Sequence, residues 1–373
     1  MKKVLSLILV AFLSGLITVG ILVLKRYQQN PEQIVPYPYR FTEDSPLITP
    51  NAPILIVGDR MALYFSKFKA ELAETISQKL SKPIAIESLA AEGVALHRTL
   101  HQLKSLTKWP QIIIYQGASE EFNERKFELS EIANINQNFK RYNDEKIETL
   151  LVLHPWISRL VYEPVKLVLL PNSPQPRGEI LEDDYLKGLD LELKLFEQHL
   201  IQLVNLSKDR NSLLILTTTP INLDVSPKKV CAFTNTLEIE KDLDDLKSML
   251  KESNPKTAYQ KSSKLIKQYS GNAQLFYMHG QISKALGLED EARNSLLSAS
   301  AFDCDTWRTT EVFNSIIRKV ANENQVILFD FARMLEAEWP DNPTFFDDLY
   351  PQHLYYEKAT EQLGLVIKQI LKL

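Results

Sequence analysis

Residues 54–60 read ILIVGDR. Ile, Leu, Ile and Val make a run of strand length with β-branched content, and Gly58-Asp59-Arg60 follow it directly. Four more runs have the same character: PIAIE at 83–87, QIIIY at 111–115, LLILT at 213–217 and QVILF at 325–329. Helical stretches at 61–80 and 94–106 separate the first three runs, and an amphipathic stretch at 355–371 follows the last. Strand and helix in this rhythm predict an α/β body, a parallel sheet with helices on both faces. In such sheets ligands sit off the carboxyl ends of the strands. The residues to watch are therefore Gly58-Asp59-Arg60, Gly93, Gly117-Ala118-Ser119-Glu120 and Thr218-Thr219-Pro220.

The chain has 373 residues, 45% hydrophobic and 24% charged, which is ordinary globular usage and excludes disordered, collagenous and disulfide-scaffold classes. Lys and Arg total 43 against 47 Asp and Glu, a net charge of −4. With no basic excess and no basic block, nucleic acid is not an expected partner. Eleven glycines are few for this length, and neither GxGxxG nor GxxxxGK[ST] occurs, so no phosphate-loop cofactor is expected.

Residues 4–24, VLSLILVAFLSGLITVGILVL, carry no charge. At about 1.5 Å per residue they just span a hydrocarbon core of about 30 Å. Lys2 and Lys3 precede the segment, and Lys25 and Arg26 follow it. Thr18-Val19-Gly20 makes a poor cleavage site because ILVL continues beyond it, and no cysteine is nearby to take a lipid. Residues 1–29 are therefore expected to be an uncleaved single-pass transmembrane helix, with the main domain periplasmic or extracellular. Residues 30–53 hold six prolines and read as an extended stalk.

The body is expected at 54–234 and again at 304–373, interrupted at 235–303 by a purely helical insertion. Gly280, Gly287, Ala292 and Ala299 fall at the small-residue spacing of a tetratricopeptide repeat, and Ala258 lies one period before Ala292. Small residues serve where two helices cross closely. One or two such hairpins are too few for a free solenoid but suit a protein partner. Cys231 and Cys304 flank the insertion; they either bridge its two ends or remain two buried thiols.

The post-strand motifs resemble those of the SGNH (GDSL-type) hydrolases, and the insertion resembles a repeat-bearing subgroup of them. The resemblance covers residues 52–373 and implies a flavodoxin-like three-layer α/β/α sandwich. In that family G-D-S supplies a nucleophilic Ser, a Gly and an Asn help to form the oxyanion hole, and D-x-x-H supplies Asp and His. Here Gly58-Asp59 match the first motif, but Arg60 stands in the nucleophile's place. Gly93 matches the second motif. Gly117 is kept in the third, with Ser119 for the Asn and Glu120 for the following Asp. Asp347 aligns with the acid of D-x-x-H, Tyr350 stands where the His belongs, and His353 follows one helical turn later.

Arginine stays protonated and is no nucleophile, so the usual acyl transfer lacks its attacking group. If catalysis survives, Ser119, Asp347 and His353 are the residues to carry it. Two readings of the strand-end residues remain. In one, Gly58, Asp59, Arg60, Gly93, Gly117, Ser119, Glu120, Arg308, Asp347 and Tyr350 form a pocket for an anionic or acylated envelope glycan. In the other, Arg60 is locked to Asp59, Glu120 or Asp347 as an ion-pair cluster in a dead site. His97 and His101 have the i, i+4 spacing of metal ligands, but Arg98 lies between them and no HExxH is present, so no metal is expected. Residues 157–171, apolar with few charges, either lie on a membrane interface or form a buried core helix followed by a loop, and the core helix is the expectation.

Overall fold

The computed structural model describes residues 2–29, 37–78, 83–175, 182–231, 237–305 and 307–371, with backbone alone at 2–9, 27, 29, 152 and 182–185. The chain forms two compact units, Met1–Glu43 with Arg125–Ser173, and Asp44–Glu124 with Pro174–Leu373.

In the first unit, helix α1 (Lys2–Gln29) presents an apolar surface that is exposed from Val10 to Leu24 among the described residues. No helix is long and apolar enough to cross a membrane among the described residues, which exclude the side chains of residues 2–9. Strand β1 (Tyr39–Phe41) pairs in parallel with β5 (Val168–Leu170), Tyr39 opposite Val168. Part of the expected stalk is therefore folded; residues 30–36 lie outside the described residues. Helices α5 (Ile132–Tyr142), α6 (Glu145–Leu153) and α7 (Ser158–Val161) complete the unit. The core helix expected from residue 157 lasts one turn and buries none of its side chains, because the residue before Pro164 is pushed out of helical geometry; a loop at 162–167 then leads into β5.

The second unit is built on β2 (Ile54–Gly58), β3 (Ile86–Ser88), β4 (Ile112–Gln116), β6 (Leu213–Thr217) and β7 (Ile327–Phe329). All pairs are parallel, in the order β3-β2-β4-β6-β7. Counted within this sheet the order is 2-1-3-4-5, the flavodoxin-like arrangement. Alternate side chains of one strand go to opposite faces. Leu55, Val57, Ile113, Tyr115 and Leu216 meet Leu100 of α4 (Leu96–Lys104), Phe196 of α8 (Glu182–Asp209) and Phe313 of α13 (Glu311–Glu323). Ile54, Ile56, Ile112, Ile114 and Ile215 meet the other layer. That layer holds Phe65 of α2 (Arg60–Phe65), Leu72 of α3 (Lys69–Ser77), Phe331 of α14 (Phe331–Glu336) and Tyr356 of α15 (His353–Leu371). Burial on both faces is why these strands read as continuous apolar runs rather than as alternations. Each such side chain stabilises the fold by roughly 1.5–3 kcal/mol.

Helices α9 (Leu237–Lys251), α10 (Pro255–Gln268), α11 (Ala273–Ala285) and α12 (Glu289–Ala301) lie between β6 and α13 and have their own core around Ile239, Leu246, Ala258, Leu275 and Ile282. At the α11–α12 crossing a Cβ on Gly280 would stand 2.6 Å from the Leu296 Cγ and 3.2 Å from the Ala292 carbonyl oxygen. Only glycine lets the helices come that close. Cys231 and Cys304 are joined in a disulfide, with Cα atoms 5.5 Å apart across a sequence separation of 73 residues.

Candidate functional site

The site is assembled at the carboxyl ends of β2, β4 and β6. Gly58 ends β2 at φ +137°, and a Cβ there would lie 1.7 Å from the Gln116 carbonyl oxygen, inside covalent range. Glycine is thus demanded by the approach of β4. Asp59 caps α2, its Oδ1 accepting from the Met61 N–H at 2.8 Å. Its Oδ2 accepts from both the N–H and the Oγ of Ser119, each at 2.7 Å. Burial pushes the Asp59 carboxyl up to about 6, against the lowering effect of these hydrogen bonds. The same bonds hold Ala118 at φ +83°, a left-handed conformation that an L-residue adopts at a cost of roughly 1–2 kcal/mol.

Arg60 does not face open space. Its Nε lies 3.1 Å from the Glu120 Oε1, both side chains largely buried, and its Nη2 donates to the Trp307 carbonyl oxygen. The ion-pair partner of Arg60 is thus Glu120, rather than Asp59 or Asp347. The neighbouring Glu121 is engaged elsewhere. Its Oε1 accepts from the Leu96 N–H at 2.7 Å, satisfying a free donor at the start of α4. The two adjacent carboxylates are therefore a cation's partner and a helix cap.

The residues aligned with the hydrolase acid and histidine are occupied elsewhere. Asp347 is exposed, and its Oδ1 accepts from the N–H groups of Leu349 and Tyr350 at 2.8 and 2.6 Å, closing a turn. Tyr350 stacks on Tyr64 with ring centroids 4.6 Å apart. Burial raises its phenol above the ordinary value, so it stays protonated at neutral pH and cannot take a proton from a nucleophile. His353 opens α15 exposed, its ring edge-on to Phe68 at 4.4 Å, with no hydrogen bond to Ser119 or Asp347. Ser119, Asp347 and His353, the residues expected to act together in a surviving enzyme, therefore form no triad.

Gly93 turns the loop after β3 at φ +73°, and Gly117 offers its carbonyl oxygen to the Thr219 Oγ1 at 2.6 Å. Arg308 is buried, donating from Nη1 to the Asn222 carbonyl at 2.8 Å, while burial lowers its pKa against the raising charges of Asp303 and Asp348. Ser119 and Arg308 share a cavity of about 10 Å³ with Thr219, Asn222 and Asp348, room for one water molecule. Asp348 lines it, not Asp347. Asn314, missed in the sequence, ties Thr219 down at both its N–H and its carbonyl, at 2.9 Å each. Nothing in the spacing of α13 marks that residue; only its partner reveals it.

His97 is buried rather than solvated, 3.2 Å from Glu124, which also binds Arg98. Among the described residues no cluster of His, Cys, Asp or Glu could hold a metal ion. A larger cavity, about 700 Å³, opens between α12, α13 and α14, where Arg293, Arg318, Arg333, Glu311 and Glu336 line it. Arg318 is gripped by Asp330 at 2.8 Å and by Glu311. Arg333 has no ion pair among the described residues. Burial and the charge of Glu311 raise Glu336 above the ordinary carboxylate value.

No protein-family model matches the chain, and no curated protein matches it in sequence. Solved structures do. A putative acylhydrolase from Bacteroides fragilis is 11% identical over 94% of this chain and 97% of its own, with a TM-score of 0.35. A lipase/acylhydrolase from Enterococcus faecalis is 9% identical over 85% of this chain and 95% of its own, TM-score 0.36. A GDSL-like lipase from Bacteroides thetaiotaomicron is 8% identical over 86% and 87%, TM-score 0.35. Scores this low carry no argument about the site. The parallel sheet in flavodoxin-like order, with the Gly-Asp turn after its first strand, agrees with the resemblance in the motifs. The fold is a parallel α/β sandwich in flavodoxin-like strand order. Arg60, which the motif resemblance aligns with the nucleophile, is paired with a carboxylate.

Proposed function

We propose that this chain is a membrane-anchored, extracytoplasmic SGNH-like protein that binds an envelope glycan instead of hydrolysing it. The observation that carries the reading is Arg60 clamped between Glu120 and the Trp307 carbonyl where a nucleophile would attack. The cavity beside Ser119 has room for a water but not for an ester. The α12–α13–α14 cleft, at about 700 Å³, has the volume of a ligand site. Arg333 would take a carboxylate of an anionic sugar there, and Glu336 its hydroxyls. The four-helix insertion forms one wall of the cleft through α12, so a repeat-like protein-binding module and the glycan site would adjoin. Anchoring is supported by the uncharged stretch at 4–24 and by the bare apolar surface of α1 from Val10 to Leu24.

The test has two arms. Purified full chain is offered acetyl and longer acyl esters beside a Ser119→Ala variant, and no turnover is expected from either. Turnover that Ser119→Ala abolishes would establish the second reading, an unconventional esterase in which the buried Asp59 carboxylate takes the Ser119 proton. In the other arm, uronic-acid oligosaccharides are expected to raise the melting temperature of the wild type and not of Arg333→Ala. Equal protection of both proteins, or none, would overturn the binding site.

A further inference from the structure

The first unit carries an apolar helix that its own fold does not bury. Helix α6 offers Ile147, Leu150, Leu151 and Leu153, yet none is buried. Leu150 is 40% exposed and Leu153 67%; three residues apart, they share a helix face. Trp156, in the short turn that follows, is 58% exposed. Leaving a tryptophan and two leucines bare is costly unless something apolar covers them.

Their place relative to α1 says what does. Arg26, just beyond the last apolar residue of α1, donates from Nη2 to Glu163 Oε1 at 2.9 Å and lies 3.5 Å from the carbonyl oxygens of Val161 and Tyr162. Arg141 binds the same Glu163 oxygen at 3.0 Å and the Val161 carbonyl at 2.6 Å, so the junction is tied at several points. If α1 crosses a bilayer, Lys25 and Arg26 mark the level of the headgroups. The chain at 161–163 is then fixed at that level. Trp156 lies five residues before Val161 in helical chain, within roughly 10 Å of it. An amphipathic ring at that depth finds the environment tryptophan favours, with apolar acyl chain on one side and water on the other.

We propose that Leu150, Leu153 and Trp156 form a second, peripheral contact with the bilayer, inserted at the headgroup boundary beside the anchor. This contact rests on the anchored reading and adds that the unit lies on the lipid surface. The tie between Arg26, at the end of the apolar stretch of α1, and the chain at 161–163 supports a lipid occupant over a protein.

The experiment uses the full chain in phosphatidylcholine vesicles with lipids brominated near the headgroup end of the acyl chain. Trp109, Trp307 and Trp339 are the other tryptophans, so wild type is compared with Trp156→Phe, a change at an exposed ring that leaves the fold intact. The protein is expected to float with the vesicles through an alkaline wash, and bromine quenching to fall by about half or more in Trp156→Phe. Flotation with equal quenching in the two proteins would overturn the peripheral contact and leave the anchor standing. Failure to float would overturn the anchor and the contact together.

Discussion

At Asp59 a buried carboxylate gathers the Met61 N–H, the Ser119 N–H and the Ser119 hydroxyl. These bonds lower its pKa, but burial outweighs them and lifts the group from 3.8 to about 6. The folded state therefore holds this proton more tightly than the unfolded chain does. Its contribution to stability is full below about pH 4, is lost as the pH rises to about 6, and is constant above that. At 1.4 kcal/mol per tenfold, the loss is roughly 3 kcal/mol. Asp59→Asn should abolish that slope in melts between pH 4 and 7. Below about pH 4 it should also lower stability by about 1–3 kcal/mol, because its amide N–H₂ would face the Ser119 donors, and this deficit should vanish above about pH 6, where the wild type has lost its own contribution. A variant that keeps the slope would show that another group titrates. The same residue explains why the loop after β4 was only half legible: Gly117 and Ser119 stand out in the sequence, but the strained Ala118 between them depends on the bonds of Ser119 to a carboxylate 60 positions before it.

Among the elements, the α11–α12 hairpin sets two physical effects against each other. Alanine is favoured over glycine in a helix interior by about 1 kcal/mol. At Gly280, though, its Cβ would press on the buried Leu296 and approach the Ala292 carbonyl, overpacking worth about 1–3 kcal/mol. Crowding should win, so Gly280→Ala is expected to lower the denaturant midpoint of the protein; a rise would mean that the helices can part at little cost. The small-residue spacing announced this crossing in the sequence because close approach leaves a signature in composition. Unit one left no such signature. Its strands β1 and β5 are three residues each, and the pairing of Tyr39 with Val168 spans far more chain than any local pattern reports.

For the whole molecule, the disulfide between Cys231 and Cys304 closes a loop that contains the entire four-helix insertion. Closing about 70 residues restricts the unfolded chain by up to roughly 4 kcal/mol, and measured values fall at or below that figure. Cys304→Ser, or a reductant, should therefore lower unfolding stability by about 2–4 kcal/mol in a denaturant titration. Identical curves with and without reductant would show that the bridge contributes nothing. The bond also bears on the site, because residues 305–308 leave Cys304 directly for Trp307 and Arg308. The Trp307 carbonyl is one of the two groups that hold Arg60.

The sequence by itself determined the parallel α/β body, the helical insertion and the arginine that follows the Gly-Asp turn. Each is written in neighbouring residues: doubly buried strands demand unbroken apolar runs, a tight crossing demands Gly280, and Arg60 follows Asp59 directly. What Arg60 does was decided only in three dimensions. Its charge would serve equally well to hold a ligand or a neighbour, and the choice falls to Glu120, brought beside it by the pairing of β2 with β4. Tertiary structure likewise turned Asp347 into a turn cap and sent His353 against Phe68. A side chain's type states what it can bind, but its partner is set by strand order and register, which no stretch of sequence contains.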